Sequence, residues 1–126
     1  MSKPMTMKID DVEYVRKDSV TQAAPMRDGM RYVIIRADRA GVFAGYLETI
    51  TETVAGRLAI MREARRLWYW SGAASLSQLA IDGTKKPTEC KFPEALNRIE
   101  ISQVIEVLDC TAKAKESIQG VKVWQQ

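Results

Sequence analysis

Two stretches, RYVIIRA (31–37) and VFAGYLETI (42–50), constrain the fold more than any other part of the chain. Both are rich in β-branched and aromatic residues, the composition of a strand. Asp38-Arg39-Ala40-Gly41 between them supplies a turn. The pair therefore reads as an antiparallel hairpin. Gly45 inside the second strand marks a bulge or a close backbone approach. With 126 residues in all, the chain has room for one domain and one modest core built on this hairpin.

The flanking segments are shorter. Residues 1–11 show no period. Val12–Arg16 reads as a short strand, and residues 21–30, with Pro25 and Gly29, read as a linker. The expected division is an N-terminal arm with a short strand and linker over 1–30, then one α+β domain over 31–126. Residues 57–70 admit two readings. Leu58, Met61 and Trp68 fall at helical spacing, whereas Leu67–Trp70 has strand composition. We favour two strands joined near Glu63, with one continuous helix as the alternative. Ser71-Gly72 breaks this segment, and Ala73–Ala80 reads as a helix stopped by Asp82-Gly83. Thr84–Pro93 is a two-proline loop, and Arg98–Asp109 a strand with an irregularity near Gln103. Thr111–Gln119 reads as a helix capped by Thr111 and ended by Gly120. Val121–Trp124 is a last short strand or docked tail. The sum is a small β-rich α+β domain with antiparallel hairpins and two short helices.

Composition removes several function classes. The chain contains no histidine, which takes away the commonest metal ligand and the commonest general base. Cys90 and Cys110 lack C-x-x-C spacing, so a zinc site is not expected, and they read as free, buried fillers. The carboxylates Glu94, Glu100, Glu106 and Asp109 form no catalytic pair. We expect no enzyme, no metal and no cofactor. A net charge of +3 is milder than that of a dedicated nucleic-acid binder, yet it suits a local basic pocket for a small anion. No apolar run is long enough for a membrane span, and the N-terminus has no signal-peptide core.

The candidate site is RRLWYWSGAASLSQLA, residues 65–80. On a strand, Arg66, Trp68 and Trp70 share one face and Arg65, Leu67 and Tyr69 the other. The tryptophans fill a core or form a stacking platform for a base. Arg65 and Arg66 offer guanidinium forks for phosphate. Ser71, Gly72 and Ser75 form either a tight turn or a helix start whose backbone N–H groups cradle an anion. The ligand-binding set expected is therefore Arg65, Arg66, Trp68, Trp70, Ser71, Gly72 and Ser75. Lys85, Lys86 and Lys91 lie close by in sequence.

The segments AGVFAGYLE, ARRLWYWSGAASLSQLA, KFP, IEVLDCTAKAKESI and VKVW together resemble a family of small uncharacterised proteins of tailed bacteriophages and prophages, a domain of unknown function. The resemblance runs from about Arg31 to Trp124 and implies a phage or prophage origin, but it carries no activity. The leading expectation is a non-catalytic phage accessory protein binding an anionic, nucleotide-like molecule, by analogy with sponges that sequester a host immune messenger. A virion structural or assembly protein and a nucleic-acid-binding protein are the alternatives. The expected partner is a second copy, at least a dimer, with no membrane. The expected place is the host cytoplasm, or the virion for the structural alternative.

Overall fold

A computed structural model of the protein describes residues 22–125. The expected strand Val12–Arg16 lies outside the described residues. β1 (Arg31–Ala37) is nearly continuous in apolar side chains because it is covered on both faces. Val33, Ile35 and Ala37 point into one apolar cluster, and Tyr32 and Ile34 into another. β2 (Gly41–Thr53), β3 (Gly56–Arg66) and β4 (Leu96–Asp109) complete a four-stranded antiparallel barrel, closed by pairing of β1 with β4. The β1–β2 hairpin turns where the sequence places it, with Ala37 opposite Gly41. α1 (Leu76–Asp82) and α2 (Ala112–Gly120) cover one side of the barrel. The domain is thus the small β-rich α+β fold expected, with antiparallel hairpins and two short helices.

One core lies inside the barrel, around Val33, Phe43, Met61 and Ile101. The other fills the space between barrel and helices, around Ile34, Leu79, Phe92 and Ile118. Bulges decide which residue faces which core. Along β3, Ala59, Met61 and Ala64 face the barrel interior, whereas Arg65 and Leu67 are buried on the helix side. The step from 61 to 64 adds one residue to the normal alternation of two. It coincides with Glu63, whose φ is +51°, and with a register shift opposite Gly45. Glu63 is therefore a bulge inside a single strand. It is neither a junction between two strands nor part of a helix. Without that extra residue, Arg65 would face the barrel interior.

Gly45 accommodates the bulge. A Cβ there would stand 2.7 Å from the Ala64 Cα and 2.9 Å from the Arg62 carbonyl oxygen. β4 has a matching irregularity at Gln103, with φ +57° between the inward-facing Ile101 and Val104.

Both helices begin on side-chain caps. Ser75 Oγ accepts from the Gln78 N–H at 3.1 Å, and Thr111 Oγ1 from the Ala114 N–H at 3.0 Å. The Ser75 cap places the start of α1 at Leu76, later than the Ala73 expected. Its end falls where expected, with the Gly83 N–H donating to the Leu79 carbonyl at 2.9 Å. Residues 22–30 are docked and do not behave as a free linker. The Ala24 N–H donates to Cys110 O, the Ala112 N–H to Gln22 O, and Arg27 and Met30 close a turn.

Two outcomes follow from this packing. Gly45→Ala drives a methyl group into backbone, so a loss of about 1–3 kcal/mol is expected in urea unfolding. Burial also pushes the Cys110 thiol up to about 12. An unfolded thiol ionises near ~8.5, so the stability tied to Cys110 is complete below that pH and is lost as pH rises towards the folded value. The melting temperature should fall through this window. Cys110→Ala should flatten the fall between about pH 9 and 10.

Candidate functional site

The Arg65–Ala80 stretch splits between interior and surface. Arg65 is only 6% exposed. Its Nε donates to Pro93 O at 2.9 Å and its Nη2 to Phe92 O at 2.6 Å. Nη1 donates to Ile118 O at 2.9 Å and Val121 O at 2.8 Å. Two of these acceptors lie at the C-terminal end of α2, where helix carbonyls lack partners and carry partial negative charge. Burial lowers the Arg65 pKa, and the charge rests against carbonyl dipoles. A guanidinium engaged in this way is not a fork for phosphate, and the structure corrects that expectation.

Arg66 is exposed but committed. Its guanidinium lies 4.4 Å from the Phe43 ring centroid and donates to Ala40 O in the β1–β2 turn. It lines a small hollow with Phe43, Ala64, Pro93, Glu94 and Leu96. No tryptophan lines that hollow, so the expected pairing of Arg66 with a tryptophan is not formed there.

β3 ends at Arg66, and residues 67–70 are not a regular strand. Tyr69 makes a single antiparallel bridge with Lys91. Alternation fails beyond it: Trp68 is 64% exposed, whereas Trp70 packs against the core between barrel and helices. The two tryptophans therefore do not share the environment expected of one strand face.

Ser71, Gly72 and Ser75 build turns. The Ser71 carbonyl accepts from Thr84 Oγ1, and its hydroxyl donates to Glu89 at 3.2 Å. The Gly72 carbonyl accepts from the Lys85 N–H at 3.1 Å. A Cβ on Gly72, which has φ +84°, would fall 2.5 Å from the Lys86 nitrogen. Gln78 Oε1 accepts from the Ala74 N–H at 2.7 Å, while Ser75 caps Gln78. Ser75 satisfies a donor in the first turn of α1, and the Gln78 side chain reaches back past the cap to the N–H of the preceding residue. The run thus clasps the 84–90 loop and starts a helix, which is the tight-turn reading of the sequence.

What reaches the surface is a different set. Segments 67–70, 90–93 and 121–124 lie side by side, joined by Tyr69–Lys91 pairing and by a parallel Phe92–Val123 bridge. Phe92 is fully buried beneath them. Above it, the Lys91 ammonium lies 5.9 Å from the Tyr69 ring centroid and 5.6 Å from that of Trp124. These are cation–π distances. Tyr69 is 51% exposed, and its chain neighbour Trp68 leaves the buried Leu67 for the surface. Sequence reasoning left Tyr69 and Trp124 out of the site. The signal was present in KFP and VKVW, where a lysine stands beside a buried apolar residue, Phe92 or Val121, in a segment that carries an aromatic side chain.

A separate groove of about 510 Å³ is lined by Arg27, Tyr46, Glu48, Arg62, Glu63 and Asn97. Its arginines are already paired, Arg27 with Glu63 and Arg62 with Glu48. None of its lining comes from the Arg65–Ala80 stretch. Among the described residues, no group of three or more His, Cys, Asp or Glu is placed to hold a metal ion. No described helix is long and apolar enough to cross a membrane.

Arg65→Leu should remove the partners of four carbonyls and lower stability by at least about 3 kcal/mol. Arg66→Ala should change it by less than about 1 kcal/mol, since its contacts are exposed. Denaturant unfolding of both variants separates the roles, and equal losses would contradict the assignment.

No curated protein and no solved structure matches the chain. A family model matches residues 30–118, from the residue before β1 to the last turn of α2. By that match the chain belongs to the family described as the domain of unknown function DUF6948.

Proposed function

We propose that this protein is a non-catalytic binding module that holds an anionic, base-bearing ligand on the surface formed by Tyr69, Lys91 and Trp124, with Trp68 beside it. The observation that carries the proposal is the Lys91 ammonium standing within 6 Å of two aromatic rings. Flat rings stack on bases without regard to sequence, and a lysine between them attracts phosphate. Exposed aromatic side chains gathered into one patch are a mark of an interaction site. The phage setting belongs to the same proposal and follows from the resemblance of the sequence, whereas the accessory role rests on an analogy of size and origin.

Exposed lysines around these rings support a second reading, a short single-stranded nucleic acid. Lys85, Lys86 and Lys122 are exposed in or next to the same segments. A strand of several nucleotides would use the rings in succession, whereas a nucleotide would use one.

Tryptophan fluorescence titration decides among these. Single-stranded oligonucleotides, cyclic nucleotides and ADP-ribose derivatives are each added at low salt. Quenching with a Kd of ~100 μM or tighter is expected for at least one class. Tyr69→Ala and Lys91→Ala should each weaken binding by roughly 5- to 100-fold while leaving the melting temperature nearly unchanged. A steep loss of affinity with salt selects the nucleic acid. Absence of binding across the panel refutes the proposal.

A further inference from the structure

β1 is shorter than the strands it joins. It pairs with β2 only as far as Leu47 and with β4 only from Val104 to Asp109. β4 residues 96–102 therefore have β3 on one side and, among the described residues, no strand on the other. The Asp38 N–H reaches Gln103 O, and among the described residues no other backbone group outside the ladder bonds to β4 before that point. A strand edge of seven residues whose backbone groups have no partner among the described residues is a template for another strand.

The side chains on this edge specify which strand fits. Arg98 and Glu100 stand two apart on the exposed face, 43% and 56% exposed, and bond each other at 2.9 Å. Arg98 also sits directly opposite Arg62 of β3, a like-charge pair. Two copies of β4 related by a two-fold axis through Ile99 would pair antiparallel. Arg98 would then face Glu100 of the partner subunit, and Glu100 the partner's Arg98. Centring the axis on residue 98 or 100 would set like charges against each other. The charge pattern is therefore self-complementary in one register. Leu96, 49% exposed, lies on the same face and would gain cover.

The other open edge differs. On β2, residues 48–53 also extend beyond β1, but a two-fold axis through Ile50 would oppose Glu48 and the partner's Glu52. We propose that the protein forms a two-fold dimer through antiparallel addition of β4 edges centred on Ile99, continuing the sheet across two barrels. This inference is independent of the aromatic surface.

Charge reversal tests it. Sedimentation of the wild-type chain at about 50 μM should show a dimer, within the affinity range of a modest strand-addition interface. Arg98→Glu and Glu100→Arg should each weaken the dimer at least about tenfold, since each opposes like charges twice. An equimolar mixture of the two single variants should form a heterodimer, because both cross-strand pairs are then opposite in sign. An intrachain Arg98–Glu100 effect cannot produce that recovery. The double variant should dimerise like the wild type. Hydrogen exchange on the wild type is the second arm: amides of residues 96–102 should be protected at high concentration and exposed on dilution. A monomeric wild type, single variants that dimerise unchanged, a mixture that fails to recover, or concentration-independent exchange would each overturn the proposal.

Discussion

Arg65 joins parts of the chain that no other side chain among the described residues connects. Its guanidinium holds the end of β3, the 92–93 segment, the last turn of α2 and the segment that follows it. A buried cation is normally balanced by a carboxylate. Here four carbonyl oxygens serve, two of them from a helix end whose dipole favours positive charge. The arrangement fixes α2 against the barrel and brings residues 92–93 beside residues 121–124. The outer layer depends on this contact because its own secondary structure is sparse, two isolated bridges and a handful of turn hydrogen bonds.

The bulge at Glu63 makes the contact geometrically available. One additional residue in β3 rotates Arg65 out of the barrel interior and onto the helix side. Gly45 accepts the displaced backbone. Once Arg65 is anchored, Leu67 is buried beside it and the chain leaves the sheet, so Trp68 and Tyr69 are presented outward while Trp70 returns to the core. A buried arginine and an exposed aromatic surface are thus two consequences of one local shift in alternation. The surface proposed for binding is displayed by a segment whose position the core determines.

Much of the fold was legible. β-Branched runs marked β1 and β2, Gly45 marked the close approach, Gln103 marked the irregularity in β4, and Thr111 marked the start of α2. These signals are local, and each depends on a residue's own conformational preference. The site was only partly legible. The arginine–aromatic stretch drew attention to the correct neighbourhood, but its residues were assigned by strand parity. Parity holds until a bulge or a strand end, and β3 has both within residues 63–66. Nothing in the residue type Glu announces a left-handed φ. The role of Arg65 was also hidden, because its acceptors are backbone carbonyls 27 to 56 residues away in sequence, and carbonyls leave no compositional trace. Tyr69 and Trp124 meet across Lys91 through that long-range contact together with the Tyr69–Lys91 and Phe92–Val123 bridges.

The central claim is that Arg65 is a fixed, buried clasp, and guanidinium NMR tests it most directly. In ¹⁵N spectra of the native protein, a side chain whose nitrogens are bonded to four carbonyls should give separate, slowly exchanging Nη–H resonances at neutral pH, because rotation about its C–N bonds would break those bonds. Its Nε–H should be protected from solvent exchange far longer than that of exposed Arg36 or Arg98. Averaged Nη–H signals with exchange as fast as those surface arginines would contradict the account and return Arg65 to the surface as a candidate ligand residue.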